Sequence, residues 1–233
     1  MTEIIPAVLV QSFAELEESL TRVVGATRAV QIDVVDGAFA SSKTWPYGDE
    51  AHFEKICLGD EGLPHWEEFD FQFDLMLAHP EVEVLKFVDA GAASVIIHAK
   101  SAGAREALEL LAQKNTEVGD EFRTQVGLAV LPTDIPEALG TLEALSGVYD
   151  FVQVMGIDKV GFQGEQFDEK AIALVKEIRQ KYPDLIIQVD GSVNASDIDA
   201  LVRAGANRLV VGSAIFGALD AKKALEALKA AVY

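Results

Sequence analysis

The stretch IIPAVLVQSFAELEESLTRVVGATRAVQIDV, residues 4–34, holds the plan of the molecule. It opens with a short continuous apolar run (4–10) and closes with another (28–34). Between them Phe13, Leu16, Leu20 and Val23-Val24 recur at helical spacing, after Ser12 as an N-cap with acids in the first turn. The runs are apolar throughout instead of alternating, which predicts strands buried on both faces, and therefore parallel strands covered by helices. The residues after the first run, VQSFAE, contain no GxGxxG, so the turn lacks the mark of an open dinucleotide-binding sheet.

The same alternation continues along the chain. Further apolar runs are FQFDLML (71–77), ASVIIHA (93–99), TQVGLAV (124–130), YDFVQVM (149–155), LIIQVDG (185–191) and NRLVVGS (207–213). Amphipathic segments separate them, such as DEKAIALVKEIRQKY (168–182), with Asp168 as an expected N-cap. Eight strands with repeated right-handed crossovers predict a closed (β/α)8 barrel in a single domain of 233 residues. Residues 41–70 break the pattern and read as a loop, a short helix and a second loop. Trp45, Pro46 and Tyr47 read there as a packed hydrophobic loop in preference to a lid over the site. The last helix, AKKALEALKAAV (221–232), carries an apolar face at 221, 224, 225, 228 and 231 that should pack mostly on the barrel.

Composition narrows the partners. With 38 acidic against 19 basic residues, the net charge of −19 disfavours nucleic acid and anionic membrane surfaces. No apolar window approaches a membrane span, and MTEIIPAVLV reads as a strand, not a leader. The one cysteine, Cys57, forms no internal disulfide and fits a reducing cytoplasm. Cys57, His52 and His65 lack metal-ligand spacing with one another.

In such a barrel the chemistry gathers on the loops after the strands, so polar residues near strand ends are informative. They are Gln31 and Asp33, Asp74, His98 and Asp190. Gln31 and Asp33 are two apart and share one side of their strand. Carboxylates converging in one barrel mouth repel unless they share a proton or bind a cation. Gly191-Ser192 and Gly212-Ser213, after the last two strands, offer backbone N–H groups where barrels of this kind bind phosphate. GFQGEQF (161–167) adds a Gly-rich turn.

These segments together resemble the ribulose-phosphate 3-epimerase family over nearly the whole chain. IDVVDGAF is similar to that family's DVMDGxF signature, and FDLML with His79-Pro80 to its third-strand motif. VMGIDKVGFQGEQF resembles its VMSVNPGFGGQxF loop, VDGSV its VDGGI, and AGANRLVVGSAIF its AGAN…VxGSAIF ending. The resemblance implies epimerisation of a ketose phosphate at C3 through an enediolate, the family's own substrate being a pentulose 5-phosphate, with Asp33 and Asp190 as the acid–base pair. It implies a phosphorylated sugar in contact with Ala7, Met76, Met155, Gly164, Gly191, Ser192, Gly212 and Ser213.

It also implies a divalent metal held by two histidines and both aspartates, and there this chain departs. Gln31 and Asp74 occupy the histidine positions. The set Gln31, Asp33, Asp74 and Asp190 is all oxygen and suits Mg²⁺ or Mn²⁺ over Zn²⁺. A metal-free site in which a proton offsets the charge is the other state these residues allow. Ala7 replaces the family's serine, Val35 a methionine, Gln163 a glycine and Glu165 a glutamine. Those changes leave a second function open, a degraded barrel that binds a phosphorylated ligand or a partner. A lyase or aldolase-like activity would look to Lys100 for its amine. Members of the family often associate, so a homo-oligomer is also expected.

Overall fold

A computed structural model describes residues 2–157 and 166–232. Its strands are β1 (Glu3–Val8), β2 (Ala29–Val35), β3 (Asp70–Met76), β4 (Ala92–His98), β5 (Gln125–Val130), β6 (Phe151–Met155), β7 (Ile186–Asp190) and β8 (Arg208–Val211). They are parallel and close in chain order, β8 pairing back onto β1. The predicted (β/α)8 barrel is what forms, and each strand lies within two residues of its predicted start.

The helices are α1 (Phe13–Thr21), α2 (Glu50–Cys57), α3 (Val84–Asp89), α4 (Ala104–Val118), α5 (Ile135–Ala144) and α6 (Lys170–Lys181), then α7 (Ile198–Ala204), α8 (Ser213–Phe216) and α9 (Ala221–Ala231). Each long one buries a single stripe on the sheet. In α1 the stripe is Leu16 and Leu20, and in α6 it is Ala171, Leu174, Val175 and Ile178. Ala221, Leu225 and Leu228 of α9 are buried as expected. Ser12 caps α1, its hydroxyl accepting from the Glu15 N–H at 3.3 Å. Asp168 differs slightly from expectation. Its carboxylate accepts from the Lys170 N–H at 2.9 Å, but the residue at the cap position is Glu169. Among the described residues no helix is long and apolar enough to cross a membrane.

The irregular segment after β2 folds as predicted around α2. Trp45 is fully buried and packs against Phe13 and Phe53, with ring centroids 5.9 and 5.4 Å away. Asp36, just past β2, ties this segment down. One carboxylate oxygen accepts from the Ala38 and Phe39 N–H groups, and the other from the Ala78 N–H beyond β3, all at 2.7 Å. Thr44 adds a second clamp, its hydroxyl accepting from the Val35 N–H at 2.9 Å and donating to the Asp33 carbonyl at 3.0 Å. The C-terminal end of β2 is therefore fixed by polar contacts before any ligand arrives.

Inside the barrel, space is tight at Gly127 on β5. A Cβ there would lie 2.5 Å from the Phe151 ring and 2.9 Å from Ile96, both fully buried. Gly127→Ala is expected to destabilise the fold by roughly 1–3 kcal/mol, the usual cost of overpacking. Urea denaturation would check it, and an unchanged midpoint would show that Phe151 has room to move.

Candidate active site

Strand register builds the site. Asp33 and Asp74 are direct neighbours across β2 and β3, while Asp190 ends β7 beside Met155 of β6. Because alternate residues of each strand face inward, these side chains converge at the C-terminal mouth of the barrel. Carboxylate oxygens of Asp33, Asp74 and Asp190 all lie within 4.8 Å of one another. They line a cavity of about 70 Å³ together with Ala7, Met76, Met155, Gly191, Ser192, Gly212 and Ser213. The expected contact residues are thus brought together, apart from Gly164. That glycine, with Gln163 and Glu165, falls outside the described residues.

The acids are held by amides. The Gln31 Nε2 group donates to Asp33 Oδ1 at 2.8 Å and to Asp190 Oδ2 at 2.7 Å. Gln153 Nε2 donates to Asp74 Oδ2 at 3.0 Å and reaches Asp190 Oδ2 at 3.4 Å. His98 Nε2 pairs with Asp74 Oδ1 at 2.9 Å, buried beneath the Phe39 ring 5.3 Å away. His98 therefore serves to fix a carboxylate.

Burial and mutual repulsion set the protonation of this cluster. Burial, then the charges of Asp190 and Asp74, push the Asp33 carboxyl well above the usual carboxylate range, against the pull of the Gln31 hydrogen bond. Burial and the Asp74 charge raise Asp190 to about 7. Two facing acids that resist ionisation can exchange a proton with a substrate near neutral pH.

At the end of β7 the chain turns through two successive residues of positive φ, Gly191 at 109° and Ser192 at 54°. A Cβ on Gly191 would press on Ile157 at 2.9 Å, so glycine is needed there on both counts. No Lys or Arg is among the described residues lining the cavity. Lys100 is turned elsewhere, ion-paired with Glu137.

The sequence reading missed three residues that matter. Gln72, Gln153 and Gln188 are buried under the acids, hydrogen-bonded to one another and to Gln31. A signal was present: Gln31/Asp33, Gln72/Asp74, Gln153/Met155 and Gln188/Asp190 are all pairs two apart. On four strands, then, a glutamine sits one inward-facing position below a residue of the mouth.

Comparison with known proteins bears on what this mouth does. The model of the ribulose-phosphate 3 epimerase family matches residues 3–216. The chain belongs to the ribulose-phosphate 3-epimerase family. Similar epimerases include one from Eremothecium gossypii, 31% identical over 97% of this chain and 91% of that protein. Another is the cytoplasmic isoform from Oryza sativa, 30% identical over 99% of this chain and 94% of that protein. Among solved structures, 3-hexulose-6-phosphate synthase from Salmonella typhimurium superposes with a TM-score of 0.68, covering 99% of this chain and 98% of that one. Its sequence identity is 17%, so it supports the barrel alone.

Proposed function

We propose that this chain epimerises a pentulose 5-phosphate at C3 through an enediolate, with Asp33 and Asp190 as the acid–base pair. One observation carries the proposal. Two carboxylates of raised proton affinity converge on one cavity, bridged from below by a single amide.

With the sugar seated between them, the ionised carboxylate removes the C3 proton, and the protonated one delivers its proton to the opposite face. The proton count of the pair is unchanged by turnover. The residue that began as base ends as acid, so the reverse reaction starts from the mirror state. The substrate phosphate is bound by backbone N–H groups of the Gly191-Ser192 and Gly212-Ser213 turns, since the described lining residues offer no cationic side chain. Met76 and Met155 supply a soft apolar wall beside the reacting carbon.

Three carboxylates within 4.8 Å fit a hard divalent ion, Mg²⁺ or Mn²⁺ in preference to Zn²⁺. Asp33, Asp74 and Asp190 would hold it, and its charge would stabilise the enediolate oxygens. Gln31 presents its amide nitrogen, not its oxygen, to the acids, so it adds a donor to the cluster and no ligand. In a metal-free site that donor and a shared proton would offset the charge. A cytoplasmic location belongs to the same reading, in line with the lone Cys57.

The test is isotope exchange. Chelator-treated protein is given ribulose 5-phosphate in D₂O, alone and with Mg²⁺, Mn²⁺ or Zn²⁺, and followed by NMR. Deuterium entering at C3 as xylulose 5-phosphate appears is the expected result, fastest with Mg²⁺ or Mn²⁺. A folded protein that exchanges nothing under any of these conditions would overturn the proposal in favour of a barrel that only binds.

A further inference from the structure

The four buried glutamines have a direction. Gln72 Nε2 donates to Gln188 Oε1 at 3.3 Å. Gln188 Nε2 in turn reaches the Oε1 atoms of Gln153 at 2.7 Å and of Gln31 and Gln72 at 3.2 Å. A carboxamide has its acceptor on one side and its donors on the other. Once Gln188 holds the oxygens of Gln31 and Gln153, their nitrogens must face upward, and upward are the carboxylates. All four side chains are at most 3% exposed, so no bulk water competes for these bonds.

We propose that Gln188 and Gln153 are positioning residues for the reaction, orienting the amides that aim the Asp33, Asp74 and Asp190 carboxylates. This rests on the two-carboxylate function proposed above. Gln188 acts on the acids through Gln31 and Gln153. Gln153 bridges Asp74 to Asp190 directly. Reversal of the Gln31 or Gln153 amide would set a carbonyl oxygen against a carboxylate, and the acid would turn away. Gln72 is the informative contrast, because it is equally buried but its amide bonds are with Gln188 and not with the acids.

The variants are Gln188→Met and Gln153→Met, which keep side-chain length and remove polarity, with Gln72→Met as the comparison. Turnover is measured in whichever cation condition gives the unaltered protein its highest rate. Gln188→Met and Gln153→Met are each expected to lower kcat about 10–100-fold with KM little changed, the cost known for losing a hydrogen-bond partner that orients a metal ligand, applied here to a reacting carboxylate. Gln72→Met should lower thermal stability comparably and lower kcat less than either, because Gln72 reaches the acids only through Gln188. Side-chain amide signals in ¹⁵N-glutamine-labelled protein give a second readout. In Gln188→Met the Gln31 signal should broaden or split as its amide samples both orientations.

A folded Gln188→Met protein with unaltered kcat overturns the proposal, whatever its amide spectrum. So does a loss of kcat equally large in Gln72→Met, which would make the lattice a packing element only. If Gln188→Met does not fold, Gln153→Met decides on kcat alone. Should the unaltered protein show no epimerase turnover, the function above fails. The Gln31 signals would then still report whether the lattice orients the amides.

Discussion

Asp33→Asn and Asp190→Asn should each stop net epimerisation, lowering kcat by roughly 10²–10⁴-fold, the range for loss of a positioned general acid or base. The more telling result concerns exchange without epimerisation. If the two acids serve opposite faces of C3, each single variant keeps one of them. That survivor can still remove the C3 proton from the epimer it faces and return a deuteron to the same face. The two variants should therefore incorporate solvent deuterium into opposite epimers, one into the ribulose and the other into the xylulose compound. Incubating each variant with each purified 5-phosphate in D₂O and recording ¹H spectra makes the comparison. Exchange of the same epimer by both variants would assign the two residues to one face and rule out the division of labour.

The second large effect is on stability. Asp190 titrates at about 7 in the folded chain against an ordinary value of 3.8, and Asp33 is raised as well. Between those two pH values the folded state binds more protons than the unfolded state, so stability falls as pH rises. The contribution is complete below pH 3.8, and it is lost by the time pH passes the folded value near 7. The loss is on the order of a few kcal/mol, since each tenfold change in proton affinity is worth about 1.4 kcal/mol. Melting of chelator-treated protein at pH 5 and pH 8 would reveal it as a difference from Asp190→Asn, which cannot ionise. The variant should gain relative to the parent, and more at pH 8 than at pH 5. Mn²⁺ should raise the melting temperature of the parent more at pH 8, because it competes with protons for the same oxygens. Parallel pH profiles for parent and variant would mean that the acids ionise in the folded state without penalty.

The barrel was legible because its signal is repeated and coarse. Runs such as ASVIIHA and TQVGLAV are apolar on both faces, and only a strand sandwiched between core and helices needs that. Strand ends were less sharp, since NRLVVGS continues apolar into the Gly212 turn while the ladder closes at Val211. Asp33, Asp74 and Asp190 stood out as charges in apolar runs. Gln153 and Gln188 did not, because one neutral amide in FVQVM or IIQVD breaks no apolar pattern. Their role exists only across strands, between residues 35 and 157 positions apart. The inward direction of the Gln31 amide was hidden for the same reason. Sequence admits its oxygen as a ligand, and only the bond from Gln188 shows which end faces the acids.

The Asp36 bonds have a kinetic meaning. Because one carboxylate fastens both the start of the β2 loop and Ala78 beyond β3, the Phe39 ring covers His98 as part of the wall and not as a flap. The chain freedom lost in holding that cover was given up during folding. A substrate arriving at the mouth meets the Asp74 side already shielded from water, so none of its binding energy is diverted to closing that side. Loosening the fastening, as in Asp36→Ala, would move that ordering from folding to the encounter itself.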